Sequence, residues 1–118
     1  MFGERLKTAV GTVSGGEAAI LMGFDGIPVD SYGIDEQLDI ETFGMEFSVV
    51  LKEVRKAAEL LETGMAMEMT VSTERLCTVL RVVSDDYFVA MALSPTGNIG
   101  KARYVLRMLA PDFKSELI

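Results

Sequence analysis

A chain of 118 residues can build one hydrophobic core and has no room for a second, so we expect a single domain over residues 1–118. Hydrophobic residues make up 49% of it and charged residues 25%, which is typical of a soluble globular protein and argues against a disordered chain. The net charge of −7 argues against a nucleic-acid partner, because phosphate contacts require clustered lysine and arginine.

Three further features predict a cytoplasmic protein. No apolar run approaches the length of a membrane span, which argues against membrane insertion. The first five residues lack the basic start and the apolar stretch of a secretory signal. A single cysteine, Cys77, cannot form an intramolecular disulfide.

The charge is unevenly distributed along the chain. Residues 17–46 contain eight acidic residues and no basic one, whereas six acids balance six bases from residue 63 onward. Such a split can steer a partner or orient self-association. It can equally serve only to keep the protein in solution, and the sequence leaves both interpretations open.

The first third of the chain predicts a helix and a β-hairpin. Apolar residues recur at helical spacing between residues 2 and 13, and residues 14–16 then provide the glycines that end a helix. Asp25 and Gly26 lie between two apolar runs, and both residue types tolerate the positive φ of a tight turn. Two antiparallel strands are therefore expected, over residues 18–24 and 27–32.

The clearest predicted element is a helix over residues 39–62, with Asp39 as its N-cap and residues 63 and 64 as its end. Apolar residues at a period near 3.6 form its expected core face, which would pack on a sheet. They are Ile40, Phe43, Phe47, Val50, Leu51, Val54, Ala57, Ala58 and Leu61.

Three strands and a last helix complete the predicted fold. The strands are expected over residues 65–73, 75–84 and 86–93; the first alternates apolar and polar residues, and the other two need cover on both faces. A helix is expected from Asn98, and Pro111 is expected to kink or end it. The order α-β-β-α-β-β-β-α predicts an α/β (α+β) fold, a three-layer α/β/α sandwich around a five-stranded antiparallel sheet. The inward residues of the last helix are Ile99, Ala102, Val105, Leu106 and Leu109.

The sequence contains no recognisable catalytic, metal or cofactor site, and we expect a protein that is not an enzyme. The absence of histidine excludes Ser-His-Asp, Cys-His and histidine–zinc arrangements. Cys77 lies in an apolar strand, where cysteine is usually an inert core residue. Residues 97–101 resemble the end of a phosphate-binding loop, but Pro95 and Ala102 stand where that loop needs Gly and Ser or Thr.

The long helix carries a second apolar stripe opposite its core face. Met45, Val49 and Leu60 lie on that side, with Lys56 between them. This spacing is typical of a helix that meets another helix or a partner groove, so the four residues are the candidate partner-binding surface. Scattered apolar residues are also common on protein surfaces, which is the competing interpretation.

The strand predicted over residues 65–73 is the candidate for self-association. It contains no proline, lysine or glycine, so at a sheet edge it would leave amides and carbonyls open to another chain. Symmetric pairing of two such edges would place the long helices side by side in an isologous dimer. The methionines could instead fill the core. The candidate interface residues are Met65, Met67, Glu68, Met69, Thr70 and Val71.

Taken together, these features resemble the roadblock family, also called the dynein light chain roadblock family, and within it the bacterial MglB-like regulators. The similarity extends over residues 6–109 and is carried by the order of the elements, with short motifs in the hairpin and at the last helix. It implies a homodimer built through the 65–73 strand and the long helix, and a small Ras-like GTPase as partner. It also implies control of that GTPase's hydrolysis or localisation without a catalytic group from this chain. The motifs are Gly23, Phe24, Asp25 and Gly26, and Gly97, Asn98, Ile99 and Gly100.

Three functions remain open at the level of sequence. The first is a regulator that binds a Ras-like GTPase. The second is an assembly module in a polarity, motility or transport complex, without effect on GTP hydrolysis. The third is a small-ligand sensor, which would need an apolar pocket with converging polar groups; a buried Arg81 or Glu68 would favour it, although a surface position is expected for both.

Overall fold

The computed structural model describes residues 1–117, and within them three α-helices and five β-strands follow one another in the predicted order. The helices are α1 (Phe2–Thr12), α2 (Ile40–Leu60) and α3 (Ile99–Glu116). The strands are β1 (Gly16–Gly23), β2 (Pro28–Gly33), β3 (Glu68–Ser72), β4 (Cys77–Val82) and β5 (Tyr87–Leu93).

The strands form one sheet in the order β2-β1-β5-β4-β3. Every neighbouring pair is antiparallel. β1, β5 and β4 lie in the middle, which explains why they are the most apolar strands, whereas β2 and β3 lie at the two edges. The predicted five-stranded antiparallel sheet is confirmed.

Helices cover both faces of the sheet. Side chains alternate along each strand, so Ala19 and Leu21 of β1 face α1 and α3, while Ile20 and Met22 face α2. A separate hydrophobic cluster fills the space on each side. The three-layer α/β/α sandwich predicted from the sequence is therefore confirmed.

The predicted tight turn joins β1 and β2. Gly26 has φ of 88°, a value that favours glycine, and the Asp25 carboxylate accepts a hydrogen bond from the Ile27 amide at 3.0 Å. The pairing register shifts between Leu21 and Met22, which marks an irregularity beside the turn.

The buried face of α2 differs from the predicted one. Phe43 and Leu51 are buried as expected, but Val50, Ala57 and Leu61 are exposed. The closest approach to the sheet is made by small residues instead: a Cβ on Gly44 would lie only 2.9 Å from Met22 Cε. Ser48 is also buried, and its hydroxyl donates to the Met45 carbonyl. Periodicity counted over apolar side chains alone omits such positions, so it placed the core face too far round the helix.

The expectation that Pro111 ends or kinks the last helix is wrong about the end, because α3 continues to Glu116. Proline removes one helical hydrogen bond. The turn after it is nevertheless held by Phe113, which is fully buried and packs edge-to-face on Phe2 with ring centroids 5.4 Å apart. Tertiary packing thus outweighs the local preference of proline.

Candidate partner-binding surface

The stripe predicted on the outer side of α2 lies on the surface. Met45, Val49 and Leu60 are 52%, 55% and 83% exposed. Lys56 is exposed with them and lies 3.7 Å from the carboxylate of Glu53 one turn earlier. The geometry of this part of the prediction is therefore confirmed, while a role in binding is left for experiment.

The exposed apolar area of α2 is wider than the sequence indicated. Val50 and Leu61, both expected in the core, are also exposed. The signal for this was present in the sequence, since Gly44 and Ser48 are the small residues that let a helix approach a sheet. Rotation of the buried face towards these small residues leaves Val50 outside, and Leu61 is exposed at the C-cap, so α2 and its cap expose five large apolar side chains. They are Met45, Val49, Val50, Leu60 and Leu61.

The strand proposed for self-association lies at a sheet edge, but it is shorter than predicted. Regular pairing with β4 covers only Glu68–Ser72. Met65 and Met67 therefore lie outside the strand, in the segment that leads from α2, and are exposed. Met69 is different, because its side chain packs against the hydrophobic cluster beneath α2.

Within residues 1–117, one side of β3 has no strand beside it. The Thr73 amide donates to the Leu76 carbonyl at 2.9 Å, and the Val82 amide donates to the Met67 carbonyl at 3.0 Å. Alternation along an antiparallel strand then directs the backbone groups of Glu68, Thr70 and Ser72 away from β4. The edge thus presents a row of outward amides and carbonyls.

Glu68, one of the candidate interface residues, forms ion pairs within the chain. Its carboxylate binds Arg81 Nη1 at 3.0 Å and Arg103 Nε at 2.6 Å, and so links β3 to β4 and α3. The Glu68 and Arg81 side chains are 28% and 15% exposed, so the expected surface position is wrong for Arg81. Because the two charges neutralise each other, this pair does not supply the unpartnered polar groups of a ligand pocket.

The end of α2 and the start of the edge strand form adjoining surfaces. Arg55, Ala58 and Glu59 line one side of an open cleft of about 420 Å³, and Met65 and Ala66 line the other. The C-terminal end of α2 therefore adjoins the segment before β3. Sequence alone predicted the two features separately and could not place them side by side.

Residues 97–101, which resemble the end of a phosphate-binding loop, form the start of α3. The Asn98 side chain caps α3 by accepting the Lys101 amide at 2.9 Å. A Cβ on Gly97 would lie 2.8 Å from the Ser14 carbonyl, so glycine is needed here for the close passage of two backbones. Both observations explain the motif by local packing.

The chemistry-bearing side chains offer no metal or nucleophilic centre in the part of the chain that the structure describes. No group of three or more His, Cys, Asp or Glu residues within 1–117 could hold a metal ion. Cys77 is buried, with its sulfur 3.6 Å from the Ser72 hydroxyl. No helix in this range is long and apolar enough to cross a bilayer.

The fold has clear counterparts among solved structures. A roadblock/LC7 domain from Streptomyces avermitilis superposes with a TM-score of 0.87 at 16% identity, over 97% of this chain and 95% of that one. MglC from Myxococcus xanthus is 45% identical over 97% of both chains, with a TM-score of 0.70. The chain belongs to the roadblock family.

Further comparisons refine its place among roadblock proteins. A structure of MglB with a tetrameric arrangement superposes with a TM-score of 0.84 at 15% identity, over 95% of this chain and 84% of that one. The expected similarity to bacterial roadblock proteins of the Mgl type is confirmed, and identity is three times higher to MglC than to this MglB. No protein-family model and no curated protein matches the chain. Its relatives support a roadblock-type regulatory or adaptor role.

Proposed function

We propose that this roadblock protein is a homodimer that binds a small Ras-like GTPase and modulates its nucleotide cycle or its localisation, without contributing a catalytic group. Two observations carry the proposal: α2 exposes several large apolar side chains, and β3 lies at an open edge of the sheet. Within one chain, the apolar side chains of α2 and the backbone groups at the edge of β3 do not cover each other. Two copies joined at β3 would combine them.

If the β3 edges of two copies pair, the outward amides and carbonyls of each strand gain hydrogen-bond partners in the other. An antiparallel two-fold pairing continues the sheet from one copy into the next and repeats every contact in reverse. It also places the two α2 helices next to each other on one side of the enlarged sheet. The result is a platform that combines exposed apolar side chains from both copies.

A GTPase partner fits this platform and the chemistry of the chain. Large exposed apolar patches mark protein contact sites. A protein without histidine or a reactive cysteine can still control a GTPase by holding its switch loops in one arrangement. Membership of the roadblock family, in which such partnerships are found, adds to this support.

The dimer is tested by blocking the edge with proline. Thr70→Pro removes an amide that points away from β4 and adds a ring on the open side of the strand. We expect light scattering to report a lower oligomeric mass than for the parent protein. Ser31→Pro on the opposite edge strand is the matched control, because the Ser31 amide bonds the neighbouring Asp30 side chain; it should leave the mass unchanged.

GTPase binding is tested on α2. Val49→Asp together with Leu60→Asp should abolish complex formation with a Ras-like GTPase of the same organism, measured by calorimetry in the GDP and GTP states. Ile34→Asp, an equally apolar and exposed position on the loop after β2, is the control and should bind as the parent does. Unchanged binding by the double variant would contradict the proposal that this face of α2 binds the GTPase. Binding that persists with no change in GTP hydrolysis would identify an assembly module instead.

A further inference from the structure

The face of the molecule opposite α2 also carries exposed apolar side chains. Tyr104 and Met108 on α3 are 57% and 56% exposed. On this face, α1 and α3 enclose an open groove of about 570 Å³, whose lining includes Ala9, Val105 and Leu109. Tyr104 and Met108 belong to the lining of this groove, which also contains the charged residues Glu4, Arg5, Lys101 and Asp112.

Two charges flank these exposed side chains, and both oppose the dipole of their own helix. Lys101 lies in the first turn of α3, where a positive charge is unfavourable, and Asp112 lies near its C-terminal end, where a negative charge is unfavourable. Neither side chain forms an ion pair within residues 1–117. The Lys101 ammonium lies 5.8 Å from the Tyr104 ring centroid.

The spacing along α3 is that of a helix-packing seam. Lys101, Val105, Met108 and Asp112 follow one another at intervals of four, three and four residues, which keeps them on one side of the helix. Read from the N-terminus, the seam is basic, apolar, apolar and acidic. Read from the C-terminus it is acidic, apolar, apolar and basic, so the seam is complementary to itself in the antiparallel direction.

We propose that a second copy of this chain binds here, with the two α3 helices antiparallel about a two-fold axis. Lys101 of one copy then faces Asp112 of the other, and Val105 faces Met108. The exposed side chains of Tyr104 and Met108 of each copy contact the wall of the α1–α3 groove of the other. Each misplaced charge gains both an opposite charge and the favourable end of the neighbouring helix dipole.

A second copy fits better than an unrelated partner because the same surface carries both the basic end and the acidic end that pair in the contact. An isologous contact requires a patch that matches its own reverse, and the charge order along this seam meets that requirement. The contact is independent of the proposed function, since α3 lies on the sheet face opposite α2. Both contacts together would build an assembly larger than a dimer.

Reciprocal charge reversal tests the seam directly. Lys101→Glu alone and Asp112→Lys alone place like charges opposite each other, and each should weaken the contact about tenfold in sedimentation equilibrium. The double variant Lys101→Glu with Asp112→Lys should restore it. Each single reversal suits the dipole of its own helix better than the parent residue does, so a loss of assembly cannot be assigned to poorer folding. Three variants that all associate as the parent does would overturn the proposal.

A cysteine scan locates the axis. Met108→Cys should be linked to its copy by a short bismaleimide in high yield, because Met108 lies one helical turn or less from the axis in the antiparallel pair. Arg107→Cys, exposed on another side of the same helix, should give little product, and the parent protein controls for the buried Cys77. Equal linking at positions 107 and 108 would contradict the seam.

The Thr70→Pro background separates this contact from the proposed β3 dimer. If the α3 contact is right, Thr70→Pro stays dimeric and Thr70→Pro with Met108→Asp is monomeric. If Thr70→Pro alone is monomeric, the α3 proposal fails while the β3 dimer stands. If Thr70→Pro leaves the mass unchanged and Met108→Asp alone gives a monomer, the β3 dimer fails and the α3 contact is the only one.

Discussion

At the scale of single residues, Glu68 connects three elements through one carboxylate. Its two oxygens bind Arg81 on β4 and Arg103 on α3, so the edge strand is tied to the layer beneath it. Arg81 is the less exposed of the two arginines. Because little water reaches the Arg81 guanidinium, its charge is compensated mainly by the Glu68 carboxylate.

Glu68→Gln should lower the free energy of unfolding by about 1–2 kcal/mol, because a half-buried arginine loses a charged hydrogen bond. Urea denaturation at neutral pH measures the change. The matched control is Glu53→Gln, which breaks an ion pair that is mostly exposed on both sides; its effect should not exceed about 0.5 kcal/mol. Equal effects of the two substitutions would contradict a structural role for Glu68.

Gly15 occupies another demanding position, at the junction between α1 and β1. Its φ is 86°, and a Cβ there would lie 2.6 Å from the Gly97 Cα. The Gly15 carbonyl also accepts the Ser94 amide at 2.9 Å. The two backbones therefore meet at van der Waals distance only because both residues lack side chains.

Gly15→Ala should cost about 2–4 kcal/mol, since it combines left-handed backbone strain with a backbone clash. Gly11→Ala is the control, because Gly11 lies in α1 with open space around it; it should raise stability by up to about 1 kcal/mol through better helix propensity. Thermal unfolding followed by circular dichroism compares the pair. A neutral Gly15→Ala would mean that the two backbones can separate freely.

At the scale of elements, the start of α2 depends on one acidic cap. The Asp39 carboxylate accepts hydrogen bonds from the Thr42 hydroxyl at 2.7 Å and from the Thr42 amide at 3.2 Å. These bonds, the hydroxyl first, hold the pKa of Asp39 below its usual value of 3.8. The charged form is thus favoured in the folded protein.

A lowered pKa in the folded state fixes the sign of the pH dependence. The contribution of Asp39 to stability is fully present above its ordinary pKa of 3.8 and is lost as pH falls through the lowered value. Asp39→Asn keeps an oxygen acceptor but does not titrate, so its stability should fall less between pH 6 and pH 3 than that of the parent. Urea denaturation at both pH values measures the difference. An identical pH dependence would contradict the assignment.

The helices on the two sides of the sheet are positioned by different means. α2 approaches β1 through the small residues Gly44 and Ser48, whereas α3 is held by large buried ones such as Leu106 and Phe113. Close backbone contact leaves many apolar side chains of α2 outside. This is why the helix facing the proposed partner is also the helix with the widest exposed apolar face.

At the scale of the whole molecule, the two hydrophobic clusters share the same three central strands. β1, β5 and β4 send alternate side chains into each cluster. Loss of packing on one face therefore withdraws support from the strands that carry the other. We expect the described fold to unfold as one cooperative unit.

Leu51→Ala and Leu106→Ala test this coupling, because each removes a fully buried side chain on a different face. Both should lower the free energy of unfolding by about 2–5 kcal/mol. Far-ultraviolet circular dichroism and hydrogen exchange should give one transition with an unchanged dependence on urea. A partly unfolded state that retains one cluster would contradict the expectation.

The sequence by itself determined the elements and their order. Asp25 and Gly26 specify a hairpin turn, Asp39 specifies a helix start, and the apolar runs at β4 and β5 require cover on two faces. Each of these signals acts over a few neighbouring residues, through φ preferences, capping or side-chain alternation. Local physics of this kind can be read from the chain directly.

Only the tertiary structure decided which faces are free. Val50 is as apolar as a core residue, but the approach of Gly44 to Met22 rotates it outward, and Leu61 is exposed at the C-cap of α2. The sequence places Glu68 on an edge strand, but only the fold brings Arg103 of α3 into contact with it. The sequence likewise predicts a helix end or kink at Pro111, but α3 continues to Glu116 because Phe113 is buried in the core. These outcomes depend on contacts between residues far apart in sequence, whose energies exceed the local preferences that a sequence displays.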